Sequence, residues 1–253
     1  LHLSIRRQRQ MCIRDRSTSI KNMPQKTALC SFEQIYLSRP DSVLEGELTY
    51  SRRMKMGGIL ANEHPVDADM VMGIPDSSTA AAVGYANESK IPFVEGIVKN
   101  RYVGRTFISP DQKLRELGVR VKFNTLGSII RGKKIILIDD SIVRGTTTPQ
   151  VIRMIRDSGA IQVHMRVASP PIISTCHFGV DTGKTSELIA ANKSLKEIKE
   201  LIGADSLEFL SIQGLKKSID FKHNYCIGCF SKEYPMPVQI EIDKMRLEKI
   251  SNG

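Results

Sequence analysis

The chain has 253 residues, long enough for one α/β domain with a full core, and carries a formal charge of +10. More than half of that surplus sits in residues 1–30, which hold seven Lys/Arg against one acid, and with no tryptophan and 6% aromatic residues the rest lacks the stacking platforms of a nucleic-acid surface. No apolar run reaches the roughly 18 residues of a membrane span, and the N-terminus has no secretory apolar core, so a cytoplasmic protein without nucleic-acid or membrane partners is expected.

Residues 1–26 show neither core periodicity nor turn grammar, and RRQRQMCIRDR reads as a disordered or non-native leader. Residues 68–74 (ADMVMGI) form a short apolar strand, residues 75–79 a polar turn rich in helix-capping types, and residues 80–86 a helix. Residues 91–98 read as a second strand and residues 135–138 as a third. Val151, Ile152, Met154 and Ile155 then mark the buried face of a helix that Gly159 closes before a strand at residues 163–167. This alternation predicts an α/β fold with a mostly parallel sheet flanked by helices. Ligands bind beyond the carboxyl ends of such strands, which puts residues 76–79 and 139–148 on one rim.

The stretch KKIILIDDSIVRGTTT, residues 133–148, combines opposites. Gly145 permits a tight turn, Thr146 to Thr148 offer hydroxyls and backbone N–H groups, and Pro149 suits the first turn of a helix whose N-terminus attracts anions. That half is a phosphate cradle. Asp139 and Asp140 would repel bare phosphate, but they can accept hydrogen bonds from sugar hydroxyls or hold Mg²⁺ against a polyphosphate. A phosphorylated sugar bearing a diphosphate satisfies both halves; acids at a solvated strand end are the plainer alternative. Neither G-x-x-x-x-G-K-[ST] nor G-x-G-x-x-G occurs in the chain.

IILIDDSIVRGTT resembles the phosphoribosyl diphosphate (PRPP) signature of type I phosphoribosyltransferases. With GIPDSS, VKNRYVGRTFI, IGADSLEFLS and RPDSV, the stretch from residue 27 to residue 237 resembles the glutamine PRPP amidotransferases, which open purine synthesis. The resemblance implies that PRPP reacts with ammonia, drawn from glutamine in the full-length enzyme, to give phosphoribosylamine and diphosphate. It further implies that Asp139 and Asp140 contact the ribose and Mg²⁺, with Ser78 as a further Mg²⁺ candidate, and that Ser141 and the loop Val143, Arg144, Gly145, Thr146 and Thr147 hold the substrate, the loop wrapping its 5-phosphate. Asp76, Ser77, Ser78 and Thr79 would approach the diphosphate. Lys99, Asn100, Arg101, Tyr102 and Arg105 match a closing loop that supplies cations and excludes water, the first residue and the last three carrying the catalytic assignment. Read on its own, KNRYVGR is a solvated basic loop.

Cys226 and Cys229 form a C-x-x-C pair, which in a cytosolic protein suggests metal or redox use. Two thiols cannot complete a tetrahedral site, and the residues alone leave open a Cys₄ zinc site or buried thiols beside a redox pair. The resemblance implies that Cys30, Cys176, Cys226 and Cys229 hold a [4Fe–4S] cluster, structural and away from catalysis. It also implies a junction to a glutaminase part in residues 27–65, a phosphoribosyltransferase domain in residues 66–215 and a cluster-binding extension in residues 216–253. The glutaminase part would lie outside this chain, leaving it dependent on free ammonia. Purine nucleotides are candidate feedback inhibitors, and a homo-oligomer is expected at full length. A base-salvage phosphoribosyltransferase and a PRPP-sensing regulator are the other readings; the first has no use for four placed cysteines, and the second usually loses the closing loop.

Overall fold

The computed structural model describes residues 28–100, 102, 121–220 and 225–238. In chain order its elements begin with β1 (Leu29–Cys30), β2 (Val43–Leu44), β3 (Glu47–Leu48), α1 (Thr49–Glu63), β4 (Met70–Gly73) and α2 (Thr79–Ser89). Then come β5 (Ile97–Lys99), β6 (Phe123–Thr125), β7 (Lys134–Asp139), α3 (Thr148–Asp157) and β8 (Gln162–Val167). The chain continues through α4 (Leu195–Ile202), β9 (Ser206–Phe209), α5 (Ile212–Ser218) and β10 (Tyr225–Cys226).

The central sheet has the order β4-β7-β8-β9, and every pair in it is parallel. Its apolar strands are continuous rather than alternating because both faces are covered. Ile135 and Leu137 of β7 face Val151, Ile152 and Ile155 of α3 together with Ile198 and Ile202 of α4. Ile136 and Ile138 belong instead to the cluster with Met56 and Leu60 of α1, Tyr85 of α2 and Leu215 of α5. All four β7 isoleucine and leucine side chains are sealed from solvent, each worth roughly 1.5–3 kcal/mol of apolar burial.

The strands expected at residues 68–74, 135–138 and 163–167 are β4, β7 and β8, and the two expected helices are α2 and α3. Pro149 sits in the first turn of α3, and Gly159, at φ +96°, follows its end. Residues 91–98 do not form one strand. Phe93 makes a single parallel bridge to Val71, and β5 then pairs antiparallel with β6, outside the central sheet. Pro92 has no N–H for a ladder, and Gly96 weakens the run, so the chain leaves the sheet edge between them.

The 15-residue helix α1 packs along α2, burying Met56 and Leu60 against Ala81, Ala82 and Tyr85. Helix α4 carries the clearest local start signal: Ser194 accepts a hydrogen bond from Glu197 N–H while the Glu197 carboxylate accepts from Ser194 N–H.

Candidate active site

Strand β7 ends at Asp139, registered against Val167 of β8, so the acid pair emerges at the carboxyl rim of the sheet. Asp139 Oδ1 accepts from the Asp140 backbone N–H at 2.9 Å. Ser78 Oγ lies 3.2 Å from the same oxygen and 2.8 Å from the Ile74 carbonyl, and its one proton can serve only one of them. Burial, then repulsion by Asp140, pushes the Asp139 carboxyl well above its ordinary range. Burial also raises Asp140, against hydrogen bonds from Ser77 and Ser141 and the charge of Arg53. Ser141 Oγ donates to Asp140 Oδ1 at 2.9 Å. Two carboxyls whose ionisation is opposed this way gain from hydroxyl donors or a hard cation, so the oxygen donor set fits Mg²⁺.

Beyond the acids the chain turns at Gly145, which takes φ +68°. The backbone conformation calls for glycine, and a Cβ there would also have to displace the end of the Ile189 side chain, 2.5 Å away at Cδ1. Thr147 then caps α3, whose first turn points at the loop. Asp139, Asp140, Ser141, Ile142, Val143, Arg144, Gly145, Thr146, Thr147 and Thr148 all line one cleft of about 1130 Å³. Arg144 Nε is also paired with Glu187 Oε2 at 2.8 Å.

On the neighbouring strand end, Pro75 and Ser77 line the cleft. Asp76, Ser78 and Thr79 do not: Ser78 is sealed behind Asp139, and Thr79 begins α2. The Pro75–Asp76 peptide bond is cis. Asp76 is exposed and ion-paired with Lys99 at the end of β5. Tyr102 is 99% exposed, whereas Arg101 and Arg105 lie outside the described residues.

The four thiols line one cavity. β1 pairs in parallel with β10, setting Cys30 opposite Cys226. Cys30, Cys176, Cys226 and Cys229 are all free thiols lining one small cavity with Phe32, Ile172, Phe178, Val180, Thr182 and Tyr234. Burial pushes Cys229 up to about 12, and the three other thiols add to the shift; Cys30 is raised mainly by burial. All four are soft donors of the type that metal–thiolate groups use. Among the described residues, no three His, Cys, Asp or Glu side chains gather closely enough to hold a single ion. Cys30, Cys176 and Cys226 also line the acid-pair cleft.

Sequence reasoning missed the cleft's apolar wall, which includes Phe32, Tyr36, Leu37, Phe178 and Met236, and also Lys122. Only their closeness to the cysteines and to the closing loop in sequence signals them.

No family model matches the chain. It is 49% identical over 217 residues to the amidophosphoribosyltransferase of Archaeoglobus fulgidus, covering 85% of this chain and 48% of that protein. It is 48% identical to the Bacillus subtilis amidophosphoribosyltransferase over 216 residues, 83% of this chain and 45% of the relative. A solved structure described as B. subtilis glutamine PRPP amidotransferase complexed with ADP and GMP superposes with a TM-score of 0.79 at 46% identity, covering 87% of this chain and 50% of that one. The chain therefore spans about half the length of the relatives it matches. Its fold is the α/β phosphoribosyltransferase fold of those neighbours, with a mostly parallel sheet flanked by helices, and the chain is homologous to about half of an amidophosphoribosyltransferase.

Proposed function

We propose that the cleft transfers the phosphoribosyl group of PRPP to ammonia, giving 5-phosphoribosylamine and diphosphate, the opening step of purine biosynthesis. The observation that carries this reading is the joining of a partly buried acid pair to a glycine-turned hydroxyl loop, in one cleft of a chain about half identical to amidophosphoribosyltransferases. Ribose hydroxyls donate to Asp139 and Asp140, relieving carboxyls that burial leaves undersolvated. The 5-phosphate takes the backbone N–H and hydroxyl groups of residues 143–147 at the N-terminus of α3. That pose sends the diphosphate toward Pro75 and Ser77, with Ser78 and Asp76 behind and beside them.

Asp139 and Asp140 are the proposed Mg²⁺ ligands; Ser78, the further candidate, is sealed behind Asp139 and would have to turn its hydroxyl into the cleft to join them. Mg²⁺ when bound would neutralise charge on the departing diphosphate. The bond from the anomeric carbon to diphosphate breaks as the ammonia lone pair forms the new C–N bond, and the spare ammonium proton leaves to solvent. The protein orients and excludes water. Lys99, Arg101, Tyr102 and Arg105 are proposed to close over the diphosphate, Lys99 exchanging its Asp76 partner for substrate charge.

The thiol cavity is proposed to hold a [4Fe–4S] cluster on Cys30, Cys176, Cys226 and Cys229, supported by four free thiols lining one space. Free thiols suit a reducing, cytoplasmic setting. Residues 66–215 are the proposed phosphoribosyltransferase domain, residues 27–65 its junction to a glutaminase part, and residues 216–253 the cluster-bearing extension. Purine nucleotides are proposed as feedback ligands on the precedent of the ADP and GMP complex described for the B. subtilis neighbour. Homo-oligomeric assembly rests on the resemblance alone.

The test is Mg²⁺-dependent release of diphosphate from PRPP in ammonium buffer, with Asp139→Asn as the control. Release that needs adenine, guanine or another base in place of ammonia would favour a salvage enzyme; tight PRPP binding without turnover would favour a sensor.

A further inference from the structure

The four cysteines sit on three stretches of chain that no long element ties together. Cys30 and Cys226 are registered by the two-residue β1–β10 pair, Cys229 follows in the next turn, and Cys176 lies in an irregular stretch after β8. Backbone bonds from Ile173 and Ser174 N–H to the Cys229 carbonyl, at 2.9 and 3.1 Å, join the Cys176 stretch to the C-x-x-C turn on one side only.

We propose that Tyr234 is the positioning residue that walls one side of this cavity, clamping the Cys176 stretch onto the C-x-x-C turn and covering the Cys176 and Cys229 sulfurs on that side. Its ring is part of the cavity wall. The ring meets His177 edge-on at 4.9 Å between centroids and Phe178 at 6.0 Å, so it packs on both residues that follow Cys176. Its hydroxyl donates to the Thr175 carbonyl and lies 2.8 Å from Ser174 Oγ, which therefore donates to it. One phenol thus holds the two residues before Cys176 by its oxygen and the two after it by its ring.

The other side of the ring rests on the turn between Cys226 and Cys229. A Cβ on Gly228 would lie 2.3 Å from Tyr234 Cδ1, so the residue beside Cys229 has room for hydrogen alone. Phe178 N–H donates to Cys176 Sγ at 3.3 Å, so a shift of the ring would be felt at that sulfur directly. Cys30 lines the same cavity but is fixed separately, by β1 pairing with β10.

The shielding can be read on the metal-free, reduced protein by alkylating it with iodoacetamide and following each cysteine by mass spectrometry. Tyr234→Ala should speed labelling of Cys176 and Cys229 by about fivefold or more and change Cys30 least, since reactivity follows thiolate formation and access, both of which burial opposes. Gly228→Ala, which drives a methyl into the ring's place, should reproduce the pattern, and the double variant should be no faster than Tyr234→Ala alone. Tyr234→Phe keeps the wall but loses both hydroxyl bonds and should fall between. Iron release to a chelator from loaded protein should follow the same order.

This last arm rests on the proposed cluster. Iron and sulfide analysis of the parent protein judges that reading separately, and the labelling order judges the clamp whatever the cavity holds. Should Tyr234→Ala fail to fold, Gly228→Ala and Tyr234→Phe carry the comparison. An equal rise at all four cysteines would mean general loosening and overturn the proposal, as would unchanged labelling in folded Gly228→Ala and Tyr234→Phe.

Discussion

Gly145→Ala separates the geometry of the phosphate loop from ordinary backbone strain. Gly145 takes φ +68°, and an alanine in that left-handed region costs roughly 1–2 kcal/mol. Gly132 takes a similar φ of +74°, and a Cβ there would meet nothing within 4 Å, so Gly132→Ala isolates the strain. In a chain of this size that cost should lower Tm by about 2–8 °C. Gly145→Ala bears the same strain and also drives its methyl to 2.5 Å from Ile189 Cδ1, in a residue whose N–H donates to the Val143 carbonyl at 2.9 Å. The clash falls on the end of the Ile189 side chain, so either that side chain turns or the loop shifts, and a loop that shifts and loses one or two backbone bonds to a charged phosphate forfeits about 1.5–3 kcal/mol each. Titration calorimetry with Mg²⁺ and PRPP should therefore show affinity falling at least about tenfold in Gly145→Ala, equivalent to 1.4 kcal/mol, and hardly at all in Gly132→Ala. Equal affinities in the two variants, with equal losses of Tm, would refute the role given to the loop.

Asp139→Asn should have opposite effects on binding and on the empty fold: PRPP affinity or turnover drops about tenfold or more, while Tm near neutral pH rises because a disfavoured buried charge is gone. Because both acids are raised in the folded chain, it holds protons that the unfolded chain has released, so the pair favours folding most at low pH. That contribution is lost as pH rises from the ordinary carboxylate range through the raised values, and acid-to-neutral melts of the parent should lose a component that the Asn variant lacks. Binding that needs ionised acids should release protons, measurable as a calorimetric enthalpy that changes with the buffer's own ionisation heat. Cys226→Ser or Cys176→Ser should abolish the brown absorption of anaerobically purified protein and lower Tm; Cys12→Ser should change neither, and stoichiometric zinc without iron would contradict the cluster.

Much of the site was legible because its signals are local. The apolar run of β7 ending in two acids, the glycine turn and the proline-started helix α3 lie in one short stretch, and each fixes its own geometry. The break at residues 92–96 was less visible, since β-branched and apolar residues surround the proline and glycine that end the pairing. Helix α1 was hidden for a different reason: it buries Arg52 and Arg53, so its inward face does not read as apolar. Arg53 is held by the Gln34 and Ser38 carbonyls, partners that only the folded chain supplies. The nearness of the thiols to the cleft depends on pairing Leu29 with Tyr225, across most of the described chain, and no local pattern encodes such a register.

The central claim is that the acid pair and loop carry phosphoribosyl transfer to ammonia, and the most direct measurement is phosphoribosylamine formed from PRPP as ammonium and pH are varied. Product and diphosphate should appear in equal amounts, require Mg²⁺, disappear in Asp139→Asn, and rise about tenfold per pH unit below the ammonium pKa as neutral ammonia grows. Diphosphate release that is indifferent to ammonium, or that survives Asp139→Asn and Asp140→Asn together, would contradict it.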